Sequence, residues 1–266
     1  MLGLGNSLTG GAALGWEPSE IANLTMWLKV NANITADEDS SGNPISRSSN
    51  AGDMEDADKI NAWNGYGGTS INAIQTDQSD KPLWETDSAD FGGVRFGAAA
   101  IKFLDLSANI IFDANTDFTI AIRFKCTDLS QSRGLMGSAS TEFIRFQNNT
   151  TVRMKINNAN SNFTLASGTI ATDEYYTLII VRSDDSTGNL NLFIRGNESF
   201  NGTTTGTQIG DQIADSGEIT ISDLAVTSDE TGNFLGFFKD VIIYDGTAVD
   251  STQREQLFDY IENQSY

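Results

Sequence analysis

The chain has 266 residues, of which 39% are hydrophobic, so it is long enough for one large domain with its own core. It contains no histidine and one cysteine, which excludes Ser-His-Asp and Cys-His catalysis, histidine-ligated metal sites and an internal disulfide. A net charge of −20 argues against nucleic acid as a partner, and no apolar run is long enough to span a membrane.

The first 15 residues hold isolated leucines among glycine, alanine and small polar residues, without a strand or helix period. The segment also lacks the basic start and the continuous apolar centre of a secretory signal. It predicts an N-terminal arm that is flexible or is ordered by a partner, followed by a single domain over 16–266. The candidate attachment residues of the arm are its four leucines, Leu2, Leu4, Leu8 and Leu14.

The first half of the domain is rich in loops. Residues 26–30, MWLKV, predict the first strand, and the acidic stretch 35–64 predicts a long loop with one short strand over 58–63. A second loop-like region covers 65–90, and short strand patterns broken by glycine follow over 91–103. Loops of this length in a compact domain are usually functional or face an oligomer partner.

Oxygen-bearing side chains alternate at the start of the first long loop. Asp37, Asp39 and Ser41 precede Gly42 with the spacing that opens a calcium-binding loop. The place of the bidentate glutamate that completes such a loop is taken by Ser48, so a solvated turn is the alternative. Ca²⁺ is the only cofactor that the sequence indicates, with these three residues as its candidate ligands.

Three aromatic residues stand in the loop-rich half, at Trp63, Tyr66 and Trp84. Neighbouring Asn and Asp side chains make them candidates for a ligand-binding platform on which a sugar ring could rest. The alternative is that they anchor long loops to the core, which is the commoner use of large aromatic residues.

Acidic residues at Glu85, Asp87 and Asp90 give the nearest match to the Glu-x-Asp-x-x-Glu strand motif of jelly-roll glucanases. In that motif two carboxylates act as nucleophile and acid. The match ends in Asp, and the residues between are loop formers, which favours a coincidence within a loop. The sequence therefore predicts no catalytic residue and a protein that is not an enzyme.

Alternating strands fill the second half of the chain. Residues 118–126 alternate most clearly, with Cys126 on the apolar side, and 143–146 and 152–156 predict further strands. The polar positions of these and later strands carry cations: Arg123, Lys125, Arg145, Arg153, Lys155, Arg182 and Arg195. They predict either a solvated face or a surface for an acidic partner or an anionic glycan. The candidate binding residues are Arg123, Lys125, Arg153 and Lys155.

A hairpin over Tyr175–Asn197 is the most readable element, because two apolar strands flank a polar turn. Residues 202–216 predict a loop, and 234–244 predict the last long strand. A capping box at Asp250 starts the only predicted helix, which is expected to pack on the edge of the sandwich. The fold class is all-β: a two-sheet antiparallel jelly-roll sandwich with one short C-terminal helix and an N-terminal arm.

Three stretches, 118–126, 174–197 and 233–261, resemble the concanavalin A-like jelly rolls of laminin G-like type. The opening MLGLGNSLTGG, followed by Trp16 and MWLKV, is similar to jelly-roll proteins of tailed, especially marine, bacteriophages. In that group a Ser-Gly-Asn and a Trp-Asn/Asp pair follow the first strand, as at 41–43 and 63–64 here. This second resemblance implies a virion structural protein without a signal peptide.

Together these patterns predict a non-enzymatic virion protein, used in capsid decoration, a head fibre or the tail. It would be made in the host cytoplasm, attach to other virion proteins as a homo-oligomer, and present a lectin-like sandwich outward, where host-surface glycan is a further partner. Neither nucleic acid nor a membrane is expected as a partner. The alternative is a calcium-assisted carbohydrate-binding lectin module, and a glycan hydrolase is the third class considered.

Overall fold

The structure is a computed structural model that describes residues 15–86, 93–97, 102–167, 169–183, 189–196, 204–209, 217–225 and 233–263. The arm leucines Leu2, Leu4, Leu8 and Leu14 lie outside these residues, so the predicted arm stays a prediction. β-Strands are the main regular structure of the described residues; there are also two short 3-10 helices, and one α-helix follows the last strand. The all-β class with a short C-terminal helix is therefore confirmed.

The first nine strands lie in the loop-rich half and its continuation: β1 Leu24–Lys29, β2 Ile34–Glu38, β3 Pro44–Ser48, β4 Lys59–Trp63, β5 Ala73–Ile74, β6 Leu83–Glu85, β7 Gly93–Phe96, β8 Leu104–Phe112 and β9 Phe118–Cys126. The other elements are β10 Arg133–Ala139, β11 Glu142–Asn148, β12 Thr151–Ile156, β13 Ala159–Thr164, β14 Tyr175–Ser183, β15 Asn189–Gly196, β16 Thr204–Ile209, β17 Ile219–Leu224, β18 Gly236–Asp245 and the helix α1 Ser251–Glu262.

The strand pairings follow one another around a nearly closed, antiparallel sheet. Strand β18 lies between β9 and β1, and β14 pairs with the other side of β9. From β14 the pairings continue through β15, β16, β13, β12, β11, β10 and β17 to β8. They return to β18 through β5, β4, β6 and β7. The finer division into two sheets of a jelly roll stays a prediction.

The large hydrophobic core is enclosed by this sheet. Strand β9 supplies Phe118, Ile120, Ile122, Phe124 and Cys126 to it, as the alternation predicts. Strands β11 and β12 face them with residues such as Phe146 and Met154. Burial raises the pKa of the Cys126 thiol, which is the behaviour of an inert core cysteine.

The predicted hairpin is confirmed. Strands β14 and β15 pair in one continuous register from Tyr176 opposite Gly196 to Ser183 opposite Asn189. Its turn, 184–188, lies outside the described residues. The hairpin also connects β9 to β16 within the sheet, because β14 pairs with β9 and β15 pairs with β16.

Three predicted loop regions contain strands that were not expected. The acidic stretch 35–64 holds β2 and β3 in addition to β4, which is the predicted short strand. The region 65–90 holds the short β5 and β6, and the expected loop 202–216 holds β16. In the acidic stretch, Glu38 pairs with Lys59, Asp58 with Arg47, and Asp37 with Lys81 from outside the stretch. Strand β16 pairs with β15 on one side and β13 on the other, so backbone hydrogen bonds hold it on both edges.

The capping box of α1 is confirmed, since the Asp250 carboxylate accepts from the amides of Thr252 and Gln253. The predicted place of the helix is wrong. Its apolar residues pack against Ile179 and Ile242 on the outward side of β14 and β18, not on an edge. Central strands that are apolar on both sides need cover on both. No described helix is long and apolar enough to cross a membrane.

Candidate functional site

A group of cations lies on the outward side of β11, β12 and β13. Ile144 and Phe146 of β11 point into the core, and so do Val152, Met154 and Ile156 of β12. The residues between them therefore point outward. We call this surface the cationic face; it consists of Arg145, Gln147, Arg153, Lys155 and Asn162, all partly exposed.

Two arginines stand directly opposite each other on the cationic face. The antiparallel register of β11 and β12 pairs Arg145 with Arg153. Like charges in this position are destabilising, since the two side chains project from neighbouring points of the sheet. Burial, and then the charge of Arg153, lowers the pKa of Arg145 below its usual range. The face thus concentrates positive charge at a cost to folding.

The hydrogen-bond partners of Arg153 and Lys155 are neutral. Arg153 Nε donates to Asn162 Oδ1 over 2.8 Å, and Lys155 Nζ donates to the Ser140 carbonyl oxygen over 2.7 Å. Arg145 Nη2 donates to Gln147 Oε1 over 2.9 Å, among its contacts. Within the described ranges no carboxylate pairs with Arg153 or Lys155, in a chain with 36 acidic and 16 basic residues.

The aromatic ring of Phe143 lies next to two cations of the cationic face. Phe143, 2% exposed, lies 4.4 Å from the Arg145 guanidinium carbon and 5.6 Å from Lys155 Nζ, measured to the ring centroid. Cations over an aromatic face are attracted by its quadrupole and lose freedom of movement. The Phe143 ring thereby restricts the movement of two of the three cations.

The other two predicted binding cations lie elsewhere, so the expectation of one four-cation surface is wrong. Arg123 and Lys125 are on the outward side of β9, separated from β12 by four strands in the pairing order. They are only 4% and 8% exposed. Arg123 lies 3.9 Å from the carboxylate of Glu262 in α1, and Lys125 lies 4.7 Å from the centroid of the Tyr175 ring. The placement of α1 over β14 and β18 explains why a strand pattern could not show this burial.

Arg182 and Arg195 have structural contacts. The Arg182 guanidinium donates to backbone carbonyls of Asp113, Thr116 and Gly217, and so ties together the segments around β9 and β17. Arg195 forms ion pairs with Glu255 and Asp259 and fastens α1 to β15.

The calcium candidates are used within the fold. The Asp39 carboxylate accepts from the amides of Ser41 and Asn43 and closes the turn between β2 and β3. These bonds, led by that of the Asn43 side chain, hold the pKa of Asp39 below its usual range. Asp37 instead pairs with Lys81 Nζ at 2.8 Å. No group of three or more His, Cys, Asp or Glu in the described part of the chain could hold a metal ion.

The predicted aromatic platform is wrong for two of its three residues. Trp63 and Trp84 are 0% and 5% exposed, and Trp63 Nε1 donates to the Lys29 carbonyl oxygen, so both anchor loops to the core. Tyr66 is partly exposed, packs edge-on against Trp27, and lies beneath Lys29. Of the carboxylate motif, Glu85 pairs with Arg95, while Asp87 and Asp90 lie outside the described residues.

Comparison with solved structures returned proteins of similar architecture at low identity. The receptor binding domain of botulinum neurotoxin type G is 14% identical, with a TM-score of 0.47, over 76% of this chain and 51% of that one. A Trypanosoma rangeli sialidase is 11% identical (TM-score 0.46; 92% and 34% covered). The enzymatically active domain of bacteriophage CBA120 tailspike protein 2 is 12% identical (TM-score 0.49; 73% and 30% covered).

The expectation of a non-enzymatic protein is contradicted by these comparisons, because sialidases and an enzymatically active tailspike domain are among the similar structures. The likeness is one of fold, and this chain spans about half or less of each of the three solved chains described. A fold shared by binding domains and enzymes does not by itself exclude catalysis.

No curated protein matches the chain. A family model does: the one described as the concanavalin A-like lectin/glucanases superfamily, of laminin G type, matches residues 98–252. The match spans more than half of the chain and includes the strands of the cationic face. The chain belongs to the concanavalin A-like lectin/glucanase superfamily.

Proposed function

We propose that this domain binds an anionic carbohydrate on its cationic face. The observation that carries the proposal is the pair of outward cations on β12, Arg153 and Lys155, whose hydrogen-bond partners are neutral, with Arg145 opposite Arg153. A guanidinium and an ammonium group on one strand offer several N–H donors to one carboxylate or sulfate. Binding such a group would offset the repulsion between the like charges of the face.

The amides of the face favour a sugar acid over an acidic protein. Gln147 and Asn162 of the face place donors and acceptors beside the cations, and the neighbouring Asn160 stands opposite Lys155 on β13. Sugar hydroxyl groups need such mixed donors and acceptors, whereas an acidic peptide requires mainly positive charge. Membership of a lectin and glucanase superfamily supports the same choice.

The experiment is calorimetric titration of the full chain with oligogalacturonate, neutral cello-oligosaccharide and poly-glutamate, at low and high salt. We expect oligogalacturonate to bind, and to bind several-fold more weakly in high salt because partly exposed charges are screened. A chelator should leave binding unchanged, since the described residues offer no metal site. Tighter binding of poly-glutamate would favour an acidic protein partner instead, and the absence of all anionic binding would contradict the proposal.

We also propose that the domain acts as part of a phage virion, as a homo-oligomer attached to other virion proteins. Support comes from the resemblance of residues 1–30, 41–43 and 63–64 to phage jelly-roll proteins. In this arrangement the arm joins a neighbouring subunit and the cationic face points toward an acidic polysaccharide of the host surface.

Deletion of residues 1–15 tests the role of the arm. We expect the shortened chain to fold with unchanged thermal unfolding and to be missing from purified particles, because the described core begins after the arm. Quantitative mass spectrometry of the particles measures its incorporation. Normal incorporation of the shortened chain would exclude the arm as the attachment segment.

A further inference from the structure

One outward line of residues crosses five neighbouring strands and carries both signs of charge. The register places one residue of each strand directly opposite the next, from β8 through β17, β10 and β11 to β12. In this order they are Asp105, Asp223, Gly137, Phe143 and Lys155, which we call the charged row. Their neighbours along the strands lie in the core: Leu104, Leu224, Met136, Ile144 and Met154. Because side chains of a strand alternate between its two sides, the whole row points outward.

The acidic end of the charged row is a pair of like charges. Asp105 is exposed, Asp223 is partly exposed, and a hydrogen bond joins their carboxyl groups. Among the residues that the structure describes, no lysine or arginine pairs with either carboxyl. Like charges directly opposite each other destabilise a sheet, so this end lacks a counter-charge.

The basic end of the charged row belongs to the cationic face, where Arg145 and Arg153 are a like-charge pair of the other sign. Lys155 ends the row, and the Arg145 guanidinium lies over the ring of Phe143. Neighbouring strands lie about 4.8 Å apart, so Asp105 and Lys155 are separated by roughly 19 Å. The two ends therefore cannot neutralise each other within one molecule.

The middle of the charged row has no side chain. Gly137 lies two strands from Asp105 and two strands from Lys155. A Cβ at Gly137 would lie 2.5 Å from the Glu142 carbonyl oxygen and 2.9 Å from the Phe143 Cα, which is too close for any larger residue. Opposite charges at equal distances from a low centre make the row complementary to a second copy of itself.

We propose that a second copy of this chain binds to the charged row, in a symmetric dimer whose two-fold axis runs along β10. The rotation places Asp105 of each copy opposite Lys155 of the other. Asp223 then faces the Arg145 guanidinium beside Phe143, so both like-charge pairs of each copy gain counter-charges. A partner of one sign would meet its own charge at one end of the row, which favours a second copy.

This inference goes beyond the proposed function, because the partner is a protein and two aspartates outside the cationic face take part. The dimer and an anionic carbohydrate would both use Arg145 and Lys155, so the two ligands compete. Excess oligogalacturonate should therefore shift the wild-type chain toward the monomer. The dimer keeps the cationic face covered when no such carbohydrate is present.

Two charge reversals test the dimer. Asp105→Lys places a lysine opposite Lys155 of the other copy, and Lys155→Glu places a glutamate opposite Asp105. We expect each variant alone to dimerise roughly 10-fold or more weakly than the wild type. An equimolar mixture of the two should regain the dimer. In the mixture the new lysine faces the new glutamate, and the native Asp105 faces the native Lys155.

The measurement is analytical ultracentrifugation of the full chain over a concentration series, at pH 7.5 and about 0.15 M salt. At this salt the Debye length of about 8 Å screens the longer-range repulsion between chains of net charge −20. Glu174→Lys is the matched control. It is exposed, makes the same change in charge as Asp105→Lys, and precedes β14, outside the five strands of the row. It should dimerise as the wild type does, and thermal unfolding of each variant checks that it folds.

Three results would overturn the proposal: a monomeric wild type, a mixture that stays as weak as its two components, or an equal loss in Glu174→Lys. Oligogalacturonate binding is measured separately on Asp105→Lys, which keeps the whole cationic face. Failure to bind there would count against the carbohydrate proposal and not against the dimer, so the two proposals can fail separately.

Discussion

Lys155→Glu is expected to weaken oligogalacturonate binding by roughly 30- to 100-fold, equivalent to about 2–3 kcal/mol at low salt. The substitution removes one of three cations from the cationic face and places a carboxylate beside Arg145 and Arg153. The new carboxylate would pair with these arginines and compete with the ligand for them. Calorimetric titration at low ionic strength measures the change.

Lys102→Glu is the matched control. Lys102 is also partly exposed, and its ammonium donates to a backbone carbonyl, that of Ser79, as the ammonium of Lys155 donates to that of Ser140. Both variants change the net charge by the same amount. We expect the control to stay within about 2-fold of the wild type, since Lys102 precedes β8 and is not part of the cationic face. An equal loss in both variants would show that overall charge, not the cationic face, governs binding.

The second large effect concerns a carboxyl pair on β8 and β17. Asp223 stands directly opposite Asp105 in the antiparallel register, beside a bulge. Burial, and then a hydrogen bond shared with Asp105, raises the pKa of Asp223 to about 6. The folded protein therefore holds a proton at a pH where the unfolded chain has released it.

The raised pKa of Asp223 determines in which direction the stability of the protein changes with pH. A carboxyl whose pKa is raised in the folded state does not change the free energy of unfolding below its unfolded pKa near 4. As the pH rises from there toward 6, the same carboxyl destabilises the fold increasingly. Asp223→Asn should therefore unfold less readily than the wild type at pH 7.5, by about 1–2 kcal/mol after allowance for partial exposure. The difference should vanish near pH 4. Urea unfolding at both pH values measures it.

Asp128→Asn provides a control of opposite sign. Hydrogen bonds from Ser130, followed by the charge of Arg133, hold the pKa of Asp128 below its usual range. Its loss should therefore destabilise the protein at pH 7.5, where the carboxylate is fully charged in both states. If Asp223→Asn were also destabilising at pH 7.5, the carboxyl pair would have to be favourable in its charged form.

Local patterns were sufficient for the strand at 118–126, the hairpin and the start of the helix, but not for β16 or the place of the helix. The alternation of 118–126 and the hairpin at Tyr175–Asn197 are readable because side chains of a strand alternate with a period of two. The capping box at Asp250 is similarly local. The strands β2 and β3 are not readable, because their acidic residues resemble those of a solvated loop. Lys81, the partner of Asp37, is 44 residues away in the sequence, and Lys59, the partner of Glu38, is 21 residues away.

Only part of the cationic face could be predicted from the sequence, for the same reason. Alternation showed that Arg153 and Lys155 point away from the core, and the structure agrees. It could not show that Arg145 stands opposite Arg153, because register depends on the length of the turn between two strands. Phe143, Gln147 and Asn162 gave no signal of their own.

The sequence by itself determined an all-β chain, a hairpin, a capped C-terminal helix and a strong negative charge. Each follows from composition or from neighbours a few residues apart. Only the tertiary structure decided which cations remain accessible, because accessibility depends on what packs over each strand. Arg123 and Lys125 are buried on β9, close to the surface of β14 and β18 that α1 covers. Arg153 and Lys155 on β12 stay partly exposed. The same alternating pattern thus yields buried cations on one strand and a candidate binding surface on another.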